Sequence, residues 1–153
     1  MIKVNVEIKN KSWNKKNNNY KKYIYKKIKK IPKIIKFFRK QNTTFTLLLT
    51  SSSNMKKLNK KFRNIDKATD VLSFPFFLEK DLKTIKQKNI YIGDIAVSYE
   101  IIKVRSKKSN FLLEFDKVWV HGLLHLIGYN HIKDKNYLKM SKDEKRILNL
   151  ISS

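Results

Sequence analysis

The chain has 153 residues, with 36 Lys+Arg against 12 Asp+Glu, a formal net charge of +24, no Cys, three His, three Gly and two Pro. The length suits one domain, 1–153, and Leu, Ile, Val and Phe make up 49 residues, too many for a charged disordered tail. Zero Cys excludes a disulfide scaffold, a thiolate zinc site, an iron–sulfur cluster and a Cys nucleophile.

In chain order, Ile2 to Ile8 alternates apolar and polar residues, the pattern of a half-buried strand. From Ile8 to Ile65 there are 19 basic residues and no acid. Asn17 to Asn19 marks a loop. Tyr20, Ile24, Ile28 and Ile31 then fall at helical spacing until Pro32 interrupts. Phe45 to Thr50 is a β-favouring run and the expected central strand. Ser52 or Ser53 is expected to cap a helix with Met55, Leu58 and Phe62 on one face. Val71 to Phe77 is a strand whose Pro75 argues for a sheet edge or a strand end. Glu79 to Asn89 is polar and expected as a loop or hairpin connection. Ile90 to Val97 is a further strand, with Ser98 capping a following helix. Asn110 caps a long helix from Phe111 to about Ile127, apolar nearly all round in its second half and therefore a core element. Asp143 to Ile151 closes the chain as a helix. This mixed order predicts an α+β domain with about four strands and flanking helices.

Charge alone is a weak guide. Lys and Arg release counterions from phosphate backbones, which favours a polyanionic partner. Yet only four of the cations are Arg, at positions 39, 63, 105 and 146, and Lys, Asn and Ile abound. An AT-rich genome imposes the same bias whatever the protein does. The start of the chain lacks the apolar stretch of a signal peptide. No apolar run reaches the ~20 residues needed to cross a bilayer. A soluble cytoplasmic protein, with no membrane partner, is the expectation.

The chemistry concentrates in eleven residues, His121-Gly122-Leu123-Leu124-His125-Leu126-Ile127-Gly128-Tyr129-Asn130-His131, which hold all three histidines and two of the three glycines. His121 and His125, four apart on a helix, share a face and can hold one metal ion. Gly128 can end the helix in a left-handed conformation and let the chain return His131 to the same point. Three neutral imidazoles suit zinc and leave a coordination position open. Nickel, copper and iron accept the same donors. A fourth, carboxylate ligand from Asp94 or Asp134 would instead make the site structural. The spacing is similar to that of the metzincin proteases, but position 122 is Gly where those enzymes carry the Glu general base. Peptide hydrolysis by that route is a minor alternative.

These residues, H-G-x-L-H-L-x-G-Y-N-H, resemble the signature of the YbeY-type endoribonucleases, bacterial rRNA maturation factors. The likeness extends to Leu58-Asn59-Lys60-Lys61-Phe62-Arg63, to Thr69-Asp70-Val71-Leu72-Ser73-Phe74-Pro75 and to the G-D-I strand in Tyr91-Ile92-Gly93-Asp94-Ile95, covering roughly residues 45 to 150 in the family's order. It implies an α+β fold with a small, largely parallel mixed sheet, and one zinc-type metal held by His121, His125 and His131. It implies single-strand endonucleolytic cleavage of RNA in small-subunit (16S) rRNA 3′-end maturation and ribosome quality control, with rRNA and the small subunit as partners. Arg63 matches the arginine suspected of acting in that family's catalysis. Two residues depart from the pattern: Asn130 replaces the usual Asp, removing a negative charge near the metal, and Ala68 replaces a common Pro.

On this reading the metal activates water and Arg63 pairs with phosphate oxygens. The alternative for Arg63 is a surface cation paired with Asp66 or Asp70. Lys56, Lys57, Lys60 and Lys61 are candidate RNA contacts, with Lys29, Lys30, Lys33 and Lys36 as a wider basic surface. Their alternative is a solvated face. Tyr20, Tyr23 and Tyr25 are candidates for base stacking or for core packing. Asp70 and Asp94 are expected to be structural. A second function class stays open: a ribosome assembly or RNA-binding factor whose metal only holds the His motif in place.

Overall fold

A computed structural model describes residues 1–153. Four strands form one sheet, β1 (Ile2–Ile8), β2 (Asn42–Thr50), β3 (Val71–Pro75) and β4 (Asn89–Ser98), in the order β1-β2-β4-β3. β1, β2 and β4 run parallel, and β3 pairs antiparallel with β4 at the edge. Pro75, with no N–H to give to a ladder, therefore sits where a missing donor costs least. The parallel strands are joined by long crossovers, as parallel pairing requires. β2 alternates buried and half-buried residues, and Phe45, Leu47 and Leu49 are fully enclosed.

Seven α-helices accompany the sheet: α1 (Tyr20–Ile28), α2 (Phe37–Lys40), α3 (Ser52–Arg63), α4 (Glu79–Leu82), α5 (Tyr99–Arg105), α6 (Phe111–Leu126) and α7 (Asp134–Ser152). The main core is a cluster of 29 buried residues to which α1, α6, α7 and the sheet all contribute, and Met55, Leu72 and Ala96 form a second, smaller one. α6 is the axis of the main core. Eleven of its sixteen residues are buried, and each large aliphatic among them is worth ~1.5–3 kcal/mol of burial. The Asn110 side chain caps the helix as expected, accepting from Leu112 N and Leu113 N at 2.9 and 3.2 Å. Asp116 is buried on α6 and takes three donors: Lys27 Nζ at 2.6 Å, Tyr23 Oη at 3.0 Å and Trp119 Nε1 at 2.8 Å. One paired carboxylate thus ties α1 to α6.

Several boundaries differ from expectation. α7 begins at Asp134, nine residues before Asp143, because its first turns carry exposed Tyr137 and Leu138 and show no apolar stripe. The polar segment after Phe77 contains the short helix α4. The cap of α3 is Ser51, whose hydroxyl accepts from Asn54 N at 3.2 Å. Ser98 stands at the start of α5 without a capping bond, and its buried hydroxyl pairs instead with Ser52 Oγ at 2.7 Å. β2 starts three residues early, at Asn42. Trp13, unremarkable in sequence, is wholly buried. Its Nε1 donates to Thr50 O at 3.0 Å, and its ring meets Tyr20, Tyr99, Phe111 and Phe115 edge-on.

Candidate metal centre

The centre is built at the C-terminal end of α6. His121 and His125 project from one face of that helix, one turn apart. The turn that follows is a Schellman motif: Gly128 has φ +90°, its N–H bonds His125 O at 3.1 Å, and Tyr129 N–H bonds Leu124 O at 3.1 Å. A residue with a Cβ is strained at that φ, so glycine is the residue that lets the chain double back. The reversal brings His131 to the helix face, its ring centroid 5.1 Å from that of His125 and 5.8 Å from that of His121. The nearest ring nitrogens of the three lie within 4.8 Å of one another.

Hydrogen bonding orients two of the rings. His125 Nδ1 lies 2.8 Å from Tyr129 O, and His121 Nδ1 lies 2.6 Å from Glu144 Oε1. The Tyr129 carbonyl can only accept, so His125 Nδ1 carries the proton there; with His121 Nδ1 likewise donating to Glu144, both Nε2 atoms present lone pairs. Those two Nε2 atoms are 3.0 Å apart. Two lone pairs at that separation repel unless a cation lies between them, so the donor set fits a metal ion that prefers imidazole. Burial, then the neighbouring His121, lower the pKa of His125 below the ordinary imidazole value, keeping it in the neutral form a metal needs.

The three imidazoles open onto a cleft of about 660 Å³ that Arg63 also lines, with Ser73, Asn130 and Ile132. α3 ends at Arg63 because Asn64 takes the left-handed conformation (φ 57°), its N–H bonding Asn59 O and Lys60 O. Asn59 is buried and its Nδ2 donates to Lys67 O at 2.8 Å, pinning the loop that carries the chain toward β3. Arg63 is exposed and makes no ion pair. The acids weighed as its partners are engaged elsewhere, Asp66 with Lys56 at 3.9 Å and Asp70 with Arg105 at 2.7 Å. Neither Asp94, bonded to the Tyr91 hydroxyl, nor Asp134, at the start of α7, lines the cleft or joins the group of histidines.

The other sequence candidates divide. Lys56, Lys57, Lys60 and Lys61 are exposed on α3 but do not line the cleft. Lys30 Nζ bonds Leu150 O at 3.2 Å near the end of α7, a structural use. Lys36 lines a neighbouring groove. Tyr20 is a core residue bonded to Trp13 O, Tyr23 is half-buried against the core and bonded to Asp116, and only Tyr25 is largely exposed. Asn130 lines the cleft, its side-chain oxygen 3.5 Å from Ile132 N. Sequence reasoning missed Glu144. The signal was present: Met140, Ile147 and Ile151 form the buried stripe of α7, and position 144 falls on it.

Comparison with known proteins places these residues in a family context. The family model described as Endoribonuclease YbeY matches residues 5–152. A protein of Pelagibacter ubique named Endoribonuclease YbeY is 41% identical over 157 residues, spanning 100% of this chain and 98% of that one. One of the same name from Buchnera aphidicola subsp. Baizongia pistaciae is 38% identical over 109 residues, 70% of this chain and 68% of its own length. A solution structure of a Thermotoga maritima protein superposes with a TM-score of 0.62 at 27% identity, covering 99% of this chain and 89% of the other.

Proposed function

The chain belongs to the YbeY endoribonuclease family, and from that premise we propose that it is a zinc-dependent endoribonuclease that cuts single-stranded RNA, with small-subunit rRNA as its substrate and the cytoplasm as its place of work. The observation that carries the reading is the convergence of His121, His125, His131 and Arg63 on one cleft. When bound, the metal supplies Lewis acidity and makes water nucleophilic near neutral pH.

The protein's own residues do the rest. His121, His125 and His131, which line the cleft, would hold the ion there. Arg63, free of any carboxylate partner, pairs with the non-bridging oxygens of the scissile phosphate and offsets the charge that grows in the transition state. The exposed lysines of α3 draw in the RNA backbone. No base is needed at position 122, whose residue faces the sheet: a Cβ there would meet Ile95 and Ser73.

The test separates an enzyme from a binding factor. Arg63→Ala is expected to keep its metal and its melting temperature, to bind single-stranded RNA, and to lose roughly 10²–10³-fold in cleavage rate. Wild-type protein that binds RNA and metal yet cuts no faster than Arg63→Ala would make the protein an assembly factor with a structural metal.

A further inference from the structure

The buried stripe of α7 runs through Met140, Ile147 and Ile151, and Glu144 occupies the position between them where another apolar residue belongs. Its side chain is only 23% exposed and has no Lys or Arg partner. A carboxylate placed there loses hydration and needs a donor in return, and the donor it has is His121 Nδ1 at 2.6 Å. The adjacent Asp143 accepts from the Tyr129 hydroxyl at 2.7 Å, and the carbonyl of the same Tyr129 takes His125 Nδ1 at 2.8 Å. Two consecutive acids of α7 therefore reach both histidines of α6, one directly and one through Tyr129. Arg146 holds Asp143 from the outside at 3.2 Å.

We propose that Glu144 is a positioning residue of the metal centre. By accepting the Nδ1 proton of His121 it fixes the ring's rotation and tautomer, aims the Nε2 lone pair at the ion, and raises the basicity of that ligand. Asp143 supports the same arrangement at His125 by fixing Tyr129. α7 thereby braces the histidines from behind the cleft as well as packing on α6. The inference rests on the metal reading of the three histidines and adds a residue that their spacing does not reveal.

The experiment measures metal, not cleavage. Metal-free wild type, Glu144→Gln and Glu144→Ala are titrated with zinc against a competing chelator, and with cobalt(II) for its visible spectrum, and their melting temperatures are recorded without metal. Glu144→Ala is expected to bind zinc 10–100-fold more weakly than wild type with an altered cobalt spectrum. Glu144→Gln, which keeps an accepting oxygen but not the charge, is expected to fall between. A residue that merely staples α7 to α6 would lower the metal-free melting temperature and leave zinc affinity and the cobalt spectrum unchanged. Wild-type affinity and spectrum in both variants, or in Glu144→Gln alone should Glu144→Ala not fold, overturn the proposal. A wild type that binds neither metal overturns the metal reading and this proposal together.

Discussion

Gly122 lies so close to Ile95 that a Cβ built on it would stand 2.8 Å from Ile95 Cγ2 and 3.1 Å from Ser73 Oγ. α6 thus rests directly on β3 and β4 at the residue next to His121, the first histidine of the group, and the Ser73 hydroxyl bonds Gly122 O at 3.2 Å. This contact sets how far His121 and His125 stand from the sheet. It also explains why the position is not the Glu of a metalloprotease: a side chain at 122 would be driven into the sheet rather than toward the cleft.

Gly122→Ala should therefore destabilise the fold by about 1–3 kcal/mol through overpacking, read as a lowered urea midpoint with unchanged slope. Gly122→Glu should not fold to the native state. An alanine variant as stable as wild type would show that α6 yields freely there.

Much of this was legible in the sequence, and the reasons are local. The i,i+4 histidines, the helix-ending Gly128, the capping Asn110 and the Pro75 that marks an edge strand each act within one or two turns of chain. β2 announced itself by a run of β-favouring residues. The first half of α7 stayed hidden because Tyr137 and Leu138 face solvent and break the periodicity. The place of Glu144 on the buried stripe of α7 follows from the helical period, but its pairing with His121, 23 positions away, does not, and only the packing of α7 on α6 brings the two together. The lysines illustrate the opposite case: abundant in sequence, they carried no positional information until the cleft was located.

Acid stability should depend on Glu114. This side chain, 9% exposed, accepts from Lys117 Nζ at 2.8 Å and Ser109 Oγ at 3.0 Å. The Lys117 bond is the largest cause holding its carboxyl below the usual value. The unfolded chain then takes up the proton first. The stability Glu114 contributes is full above the ordinary Glu pKa of about 4.3 and is lost as pH falls from there through the lowered folded value. Urea titrations of Glu114→Gln should show a deficit against wild type at pH 7 that shrinks toward pH 3. Two curves running parallel across that range would contradict the assignment.

Salt dependence of RNA binding should identify which lysines touch phosphate. Each contact to a single strand contributes about 0.7 to the slope of log affinity against log salt. Replacing Lys56, Lys57, Lys60 and Lys61 singly by Gln should lower the slope by about that amount for each contacting residue and leave the rate at saturating RNA unchanged. Four variants with the wild-type slope would return the α3 lysines to the role of a solvated face.

The central claim is that one metal ion, held by three imidazoles beside Arg63, cuts RNA. Titrating metal-free protein with zinc while following cleavage of a single-stranded rRNA fragment tests it most directly. The account predicts a rate that climbs from background and levels off at one equivalent per chain, with His125→Ala inactive throughout. Cleavage that persists under chelation, or a His125→Ala preparation that cuts as well as wild type, would contradict it.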